Sequence, residues 1–414
     1  MEMKLPDGWV IAPIGEIFDT SSGTTPPRAM YDRYFRNGTI PWVKTLDLNN
    51  SEIHLTDEAV TDVALSETSL RIYTEGSVLV AMYGGFNQIG RTGLLRIPGS
   101  VNQAVTAILP NRKRVVPRYL LDFLNFKVGY WKTVASSSRK DPNITSNDVR
   151  TFPLTLPPLP EQSAIASALS DVDALLSSLD ALIAKKRDIK QAAMQQLLTG
   201  KTRLPGFKEE WVVTRLGDHA TLIRNGVYSR AELSIDGRVK YLHYGDIHTC
   251  GAVYLNPSEA IMPFLDADKA VRLGRLVSGD LVFVDATEDL AGVGKSVEVV
   301  GAEGTELVAG LHTIAVRFDK RILADGFKAY LQFIPAFGAH LRSLAAGTKV
   351  LSTNRSHIAS AEIALPSIAE QAAIAEVLSD MDAELAALKA RRDKTRLLKQ
   401  GMMQELLTGK TRLV

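Results

Sequence analysis

Apolar side chains at Ile165, Leu169, Val172, Leu176, Leu179 and Ile183 step by four, three, four, three and four residues. This is the a/d rhythm of a helix that buries one seam against another helix. The same rhythm returns at Ile374, Leu378, Met381, Leu385 and Leu388, and the surrounding text repeats with it. Residues 157–204 and 366–413 align without a gap at an offset of 209, with 28 of 48 positions identical. A repeat unit with one apolar face needs a partner for it, and each copy offers itself to the other. Pro160 and Glu161 suit a helix start, while Gly200 and Gly409 lie two residues beyond Leu198 and Leu407, where helices stop. The pattern predicts helices over residues 161–198 and 370–407, each about 57 Å long at ~1.5 Å per residue. They are expected to pack antiparallel, with Leu169, Leu176, Leu378 and Leu385 in their interface.

Between the helical segments the texture changes to short β-prone runs broken by Gly, Pro, Asn and Asp. Residues 40–43, 77–81 and 104–109 read as strands, and 119–126 as a helix. The fold class is therefore α+β, with two mixed domains at 1–156 and 205–365, each followed by a long helix at 157–204 and 366–414. The second domain carries traces of the first. Trp9-Val10 with Gly15 returns as Trp211-Val212 with Gly217, and Gly76-Ser77-Val78-Leu79-Val80 as Gly279-Asp280-Leu281-Val282-Phe283. Asp47, after Ile40-Pro41-Trp42-Val43, has a counterpart in Asp246, after Val239-Lys240-Tyr241-Leu242. These echoes sit at offsets of 202, 203 and 199, so a common scaffold carries loops of different length.

Charge adds a direction to this picture only locally, because the whole-chain balance is +2. Residues 1–90 hold six Lys or Arg against twelve Asp or Glu, while residues 91–150 hold eleven against three. Residues 311–360 are again basic, with seven cations against two carboxylates. Clustered Lys and Arg suit a phosphate-facing surface, with an ordinary solvated face as the alternative. A single cysteine, Cys250, rules out an intrachain disulfide and fits a reducing compartment. No run of 18 apolar residues occurs, and the start lacks the features of a secretory signal, so a cytoplasmic protein is expected.

Two variable α+β domains, each followed by a near-identical helix bounded by LPPLPEQ or its variant and by LLTGKTRL, resemble the DNA-specificity subunit of type I restriction-modification enzymes. Gly23-Thr24-Thr25-Pro26, then Tyr34, Gly38 and Ile40-Pro41-Trp42, and Asn102-Gln103 ahead of a strand, are also similar to that family. The second domain has Ile223-Arg224-Asn225-Gly226 where a Gly-Thr-Pro counterpart would stand. The resemblance implies two target recognition domains spaced by an antiparallel coiled coil with pseudo-two-fold symmetry. It implies a subunit that catalyses nothing itself and binds double-stranded DNA. Its partners would be two methyltransferase subunits using S-adenosylmethionine and motor-nuclease subunits using ATP and Mg2+, with no cofactor in this chain.

Candidate DNA contacts follow from the basic segments and these motifs. In the first domain they are Thr24, Arg28, Lys44, Arg91, Arg139 and Lys140, and in the second Arg224, Arg230, Lys240, Thr348 and Lys349. Small residues beside a cation, as in Ser136-Ser137-Ser138-Arg139-Lys140 and Gly347-Thr348-Lys349, let the backbone approach phosphate. Lys201 and Lys410, in the two helix tails, are candidate docking points for two copies of one partner, with simple helix capping as the alternative. If the helices act as a ruler, half-site centres lie roughly 10 base pairs apart.

Other chemistries find little support. Gly292-Val293-Gly294-Lys295-Ser296 falls short of a phosphate-binding loop because position 289 is Asp289. No glycine-rich fingerprint for a methyl-donor nucleotide is evident. Six of seven histidines lie in the second domain, yet His248 and Cys250 lack a second ligand pair at zinc spacing. A free-standing two-headed DNA-binding regulator is the rival reading, separable by whether a methyltransferase subunit co-purifies.

Overall fold

The computed structural model describes residues 5–85, 87–135, 142–347 and 350–413. The chain forms two compact units, residues 1–180 with 390–414, and residues 181–389. Both long helices are continuous, Leu159–Leu197 and Ile368–Leu406. Each unit therefore holds one mixed domain, the first half of the helix that follows it and the last half of the other helix.

In the first unit, among the described residues, a five-stranded sheet runs in the order Thr20–Ser22, Val105–Ile108, Val78–Ala81, Thr92–Leu95, Ser51–Ile53. All its pairs are antiparallel except the last. A smaller sheet places Ile40–Val43 between Glu58–Val60 and Ser100–Val101. The strands Val78–Ala81 and Val105–Ile108 are buried along their whole length, as continuous apolar runs demand. Val10–Pro13 pairs with Pro153–Leu156, so the two ends of the domain close on each other where the long helix begins.

The second unit repeats this plan strand for strand. Its larger sheet is Ala220–Ile223, Thr313–Phe318, Leu281–Val284, Ser296–Val299, Tyr254–Leu255, and its smaller one Phe264–Leu265, Val239–Leu242, Glu306–Ala309. Val212–Arg215 pairs with Glu362–Leu365 at its base. Among the described residues one element is additional: Ala286–Thr287 pairs with Leu351–Ser352.

Within each unit the helices run antiparallel. In the first, Asp173 pairs with Lys399 at 2.7 Å and Asp180 with Arg392 at 3.4 Å. In the second, Lys190 pairs with Asp382, and Lys186 with Glu384 at 2.6 Å. The first and third of these pairs are the same contact, because 173 and 382, like 190 and 399, stand 209 apart.

The seam residues divide into two groups. Ile165 and Leu169 are fully buried in the first domain's core beside Tyr119, Phe123 and Phe152, together with Leu406 and Leu407 of the other helix. Ile374 and Leu378 do the same in the second, beside Phe327, Tyr330 and Leu197. Nearer the helix middles, Leu179, Ile183 and Leu385 are buried, whereas Val172, Leu176, Met381 and Leu388 are half-buried. The heptad stripe thus serves a helix partner and a domain floor in succession. A packed floor needs more apolar area than a two-helix seam offers, and each such leucine is worth about 2 kcal/mol on burial.

The helix ends explain the LLTGKTRL text. Gly200 and Gly409 take positive φ of 68° and 73°, the left-handed turn that glycine adopts without strain. The chain then returns Arg203 to Glu370, with Nε to Oε1 at 2.5 Å, and Arg412 to Glu161 at the same distance. Both glutamates are buried in the first turn of the opposite helix. The next residue is equally fixed: Gln162 donates to the carbonyls of Arg114 and Pro157 and accepts from Val116 N–H, while Gln371 does so with Ile322, Pro366 and Ala324. The EQ pair of each repeat is a socket for the domain and for the returning tail.

Candidate nucleic-acid interface

In both domains four loops meet at one end of the sheets, held by matching backbone hydrogen bonds. In the first domain Thr24 N–H reaches Val101 O (3.0 Å), Met82 N–H reaches Ala104 O (2.8 Å), and Ile144 N–H reaches Met82 O (3.0 Å). In the second, Gly226 N–H reaches Ala309 O (2.8 Å), Asp285 N–H reaches His312 O (3.1 Å), and Thr353 N–H reaches Asp285 O (2.8 Å). Val101 and Ala309 are equivalent because each is the sheet partner of the matching residue, Val43 or Leu242. Asn225-Gly226 therefore stands where the first domain has Gly23-Thr24. A Cβ at Gly23 would lie 2.0 Å from Val101 O, and one at Gly226 2.7 Å from the Tyr241 ring. Glycine is kept at neighbouring, not identical, positions, which hides the correspondence in the sequence.

The nominated cations split by what holds them. Arg28 pairs with Glu58 at 2.7 Å and lies over Phe35 and Trp42, with 4.3 and 5.2 Å to the ring centroids. Lys44 pairs with the same Glu58 at 2.7 Å and with Asp57 at 2.9 Å. Burial disfavours its charge, but these two carboxylates outweigh that and raise its pKa. Arg230 pairs with Asp246, and Lys240 donates to the carbonyls of Pro257 and Ala260. These four side chains are engaged inside the fold. Thr24 shares a hydrogen bond with Ser69 at 2.9 Å. Arg91 donates only to Asn87 O, at 3.1 Å, and Arg224 is exposed with no ion pair among the described residues. Arg139, Lys140, Thr348 and Lys349 lie outside the described residues. Lys201 and Lys410 are exposed beside the returning tails, Lys410 at 3.9 Å from Glu405.

Around Arg224 the structure adds three cations that no local sequence pattern marks, Lys269, Arg272 and Arg355. Arg224, Lys269, Arg272 and Arg355 line one open cleft of about 1120 Å³, against the single carboxylate of Asp268. Arg355 Nη2 donates to Asn225 Oδ1 at 2.8 Å, and Lys269 lies over the Tyr228 ring at 5.2 Å. Three guanidinium groups on one concave wall suit phosphate oxygens, which they bind in bidentate fashion. Among the described residues no group of three or more His, Cys, Asp or Glu could hold a metal, and no helix is long and apolar enough to cross a membrane.

The architecture is shared with proteins of known kind. Residues 6–186 match the family described as the type I restriction modification DNA specificity domain. The chain is 22% identical over 428 residues to the type I restriction enzyme MjaVIII specificity subunit of Methanocaldococcus jannaschii, covering 99% of this chain and 95% of that one. It is 23% identical over 391 residues to the EcoKI specificity subunit of Escherichia coli, covering 90% and 81%. The solved S subunit of a type I restriction-modification system from M. genitalium has the same fold, with a TM-score of 0.60, 13% identity and 98% of each chain covered. Residues 6–186 thus match the DNA specificity domain of type I restriction-modification enzymes, and the similarity to specificity subunits extends over 90% or more of the chain.

Proposed function

We propose that the chain reads an asymmetric two-part DNA target, one half-site per recognition domain, and so directs adenine-methyltransferase and ATP-dependent nuclease subunits to it. The observation that supports this most is the pair of loop clusters, built on the same backbone hydrogen bonds yet presenting different side chains. Cations on such a surface set register on phosphate, and the divergent polar groups discriminate bases. The partners hold S-adenosylmethionine, ATP and Mg2+, and the methyltransferase flips the target adenine. The two tails, with Lys201 and Lys410, offer equivalent docking points for two methyltransferase copies. Charge reversal at both should weaken assembly more than at either alone.

The test is methylome sequencing of cells carrying the complete system. Exchanging residues 205–365 for the matching domain of another such subunit should change one half-site and leave the other. Inserting four residues near Lys185 should lengthen the unread gap by one to two base pairs, at ~3.4 Å each, for an added helix length of ~5.4 Å. In vitro, Arg224→Ala, Arg272→Ala and Arg355→Ala should each reduce the salt slope of DNA affinity by about 1. Lys140→Ala and Lys349→Ala are subject to the same measurement. A chain that binds DNA but never co-purifies with a methyltransferase subunit would point instead to a free-standing regulator.

A further inference from the structure

Beside the cationic cleft of the second domain lies a cavity of different character, about 420 Å³, walled by Tyr244, His248, Thr287, His312 and Val350, with Glu288 and Asp289 also lining it. Among the described residues no Lys or Arg lines it. The two sites share their supports: Asn225 Nδ2 in the cleft donates to Gly310 O at 3.2 Å, two residues before His312. Thr353 N–H, two residues before Arg355, binds Asp285 O. A cationic wall and a pocket lined by two carboxylates are thus built on the same two segments.

His312 is the feature that asks for an explanation. Its φ is +56°, a left-handed conformation uncommon outside glycine and tolerated best by Asn, Asp and His. Its side chain is 49% exposed, and its Nδ1–H donates to Asp285 Oδ1 at 3.0 Å. A carboxylate only accepts, so this bond places a proton on Nδ1, and the neutral imidazole that makes it keeps a bare lone pair on Nε2. Tyr244 meets the His312 ring edge-on at 5.3 Å and the His248 ring at 6.0 Å, holding both. His248 Nε2–H donates to Ala286 O at 3.1 Å. At the equivalent backbone positions the first domain has Ala104 and Met82, in place of His312 and Asp285. The pair is thus a local addition to a shared scaffold.

Resting on the DNA-reading function above, we propose that this pocket discriminates one base of the second half-site. Nε2 of His312 accepts a hydrogen bond from the exocyclic amino group of adenine or cytosine. The Glu288 and Asp289 carboxylates suit the same donor and disfavour phosphate, so the cleft takes the backbone and the pocket takes the base edge. In the major groove an amino group distinguishes adenine and cytosine from thymine and guanine, which present oxygens there. Asp285 acts through His312 and is a positioning residue, setting which nitrogen keeps its lone pair.

The test uses the subunit assembled with its methyltransferase, selecting from duplexes randomised across both half-sites. His312→Asn is chosen because asparagine tolerates the left-handed backbone, and Asp285→Asn because an amide no longer fixes the tautomer. Both should lower the preference for an amino-bearing base at one and the same second half-site position by about tenfold. The first half-site and the salt dependence should not move. Replacing that base by purine or 2-pyrimidinone, which lack the amino group, should weaken the wild-type complex and leave His312→Asn indifferent. If the wild-type complex selects a two-part site and both variants select the same bases at every position, the pocket assignment is wrong while the function stands. If the wild-type complex selects no two-part site, both are overturned.

Discussion

Asp173 in the first unit binds Arg118 of its recognition domain and Lys399 of the other helix, at 2.7 Å for the lysine. Its counterpart Asp382 binds Lys190 from the other helix and, at 3.1 Å, the phenol of Tyr330 from its own domain. The helix half of the contact is conserved between the units and the domain half is not. The same division holds throughout. The Glu-Gln sockets, the tail arginines and the backbone bonds of the loop clusters recur, whereas the side chains facing out of the clusters differ. Arg28 and Lys44 are locked by Glu58 in the first domain, while Arg224, Arg272 and Arg355 of the second have no ion pair among the described residues. A duplicated scaffold retains what holds a domain to its helices and diverges where only a ligand would notice.

The largest effect that would break this equivalence is at the sockets. Gln162→Ala or Gln371→Ala leaves two carbonyls and one N–H without partners in a buried site, at ~1 to 3 kcal/mol for each unmet group. We expect either substitution to destabilise its own unit by about 3 kcal/mol or more and to leave the other unit intact. Because a two-unit chain need not unfold in one step, the measurement is hydrogen exchange of each unit, followed separately by mass spectrometry. Markedly unequal losses would mean that the two sockets are not the same device.

A second comparison concerns one buried carboxyl in each unit. Burial pushes Asp122 up to about 6, against the pull of Arg118, whose Nε donates to it at 2.9 Å. Burial likewise pushes Glu298 up to about 6, although it accepts from Gly326 and Ala329 N–H. In each case the folded pKa lies above the unfolded value, so the folded state holds the extra proton. The stability each group contributes is complete below pH ~4 and is lost as pH rises to about 6. The loss is of order 2 to 3 kcal/mol for each at ~1.4 kcal/mol per pKa unit. Asp122→Asn should flatten the pH dependence of the first unit over that window, and Glu298→Gln that of the second. Curves parallel to the wild type would show that the carboxyls stay charged.

The sequence exposed the frame readily and the reading surface poorly, for a physical reason visible in single residues. Heptad spacing and a 48-residue repeat fix the helices, because periodicity is a local property. Asp47 and Asp246 could be matched because each closes a capping box onto a backbone N–H three residues earlier, of Lys44 and His243. Cations in β-rich loops carry no such mark. Lys240 and Arg224 look alike as text, but one is consumed by carbonyls 17 and 20 residues away and the other opens on a cleft completed by Arg355. Whether a charge is available depends on partners distant in the chain, and the same holds for the pairing of His312 with Asp285.

The smallest effect gives the finest comparison. Trp9 and Trp211 occupy matching places against Gly409 and Gly200, and each ring is approached by its unit's tail arginine, at 5.9 Å for Arg412 and 5.7 Å for Arg203. Trp9 Nε1–H donates to the buried Glu161 at 3.0 Å, whereas Trp211 Nε1 is buried without a partner among the described residues. Phenylalanine removes the N–H and a similar slice of ring at either site, so the packing loss is common to both. The difference between Trp9→Phe and Trp211→Phe therefore isolates one hydrogen bond to a carboxylate, about 1.5 kcal/mol or slightly more. Trp211→Phe should lose only the packing share, since it also removes an unmet donor. Glu370 then depends on Arg203 alone, so Arg203→Ala should loosen the second unit more than Arg412→Ala loosens the first, where Trp9 still serves Glu161. Equal responses in the two units, by the same exchange measurement, would show that the indole N–H of Trp9 contributes nothing to holding its domain on the helix.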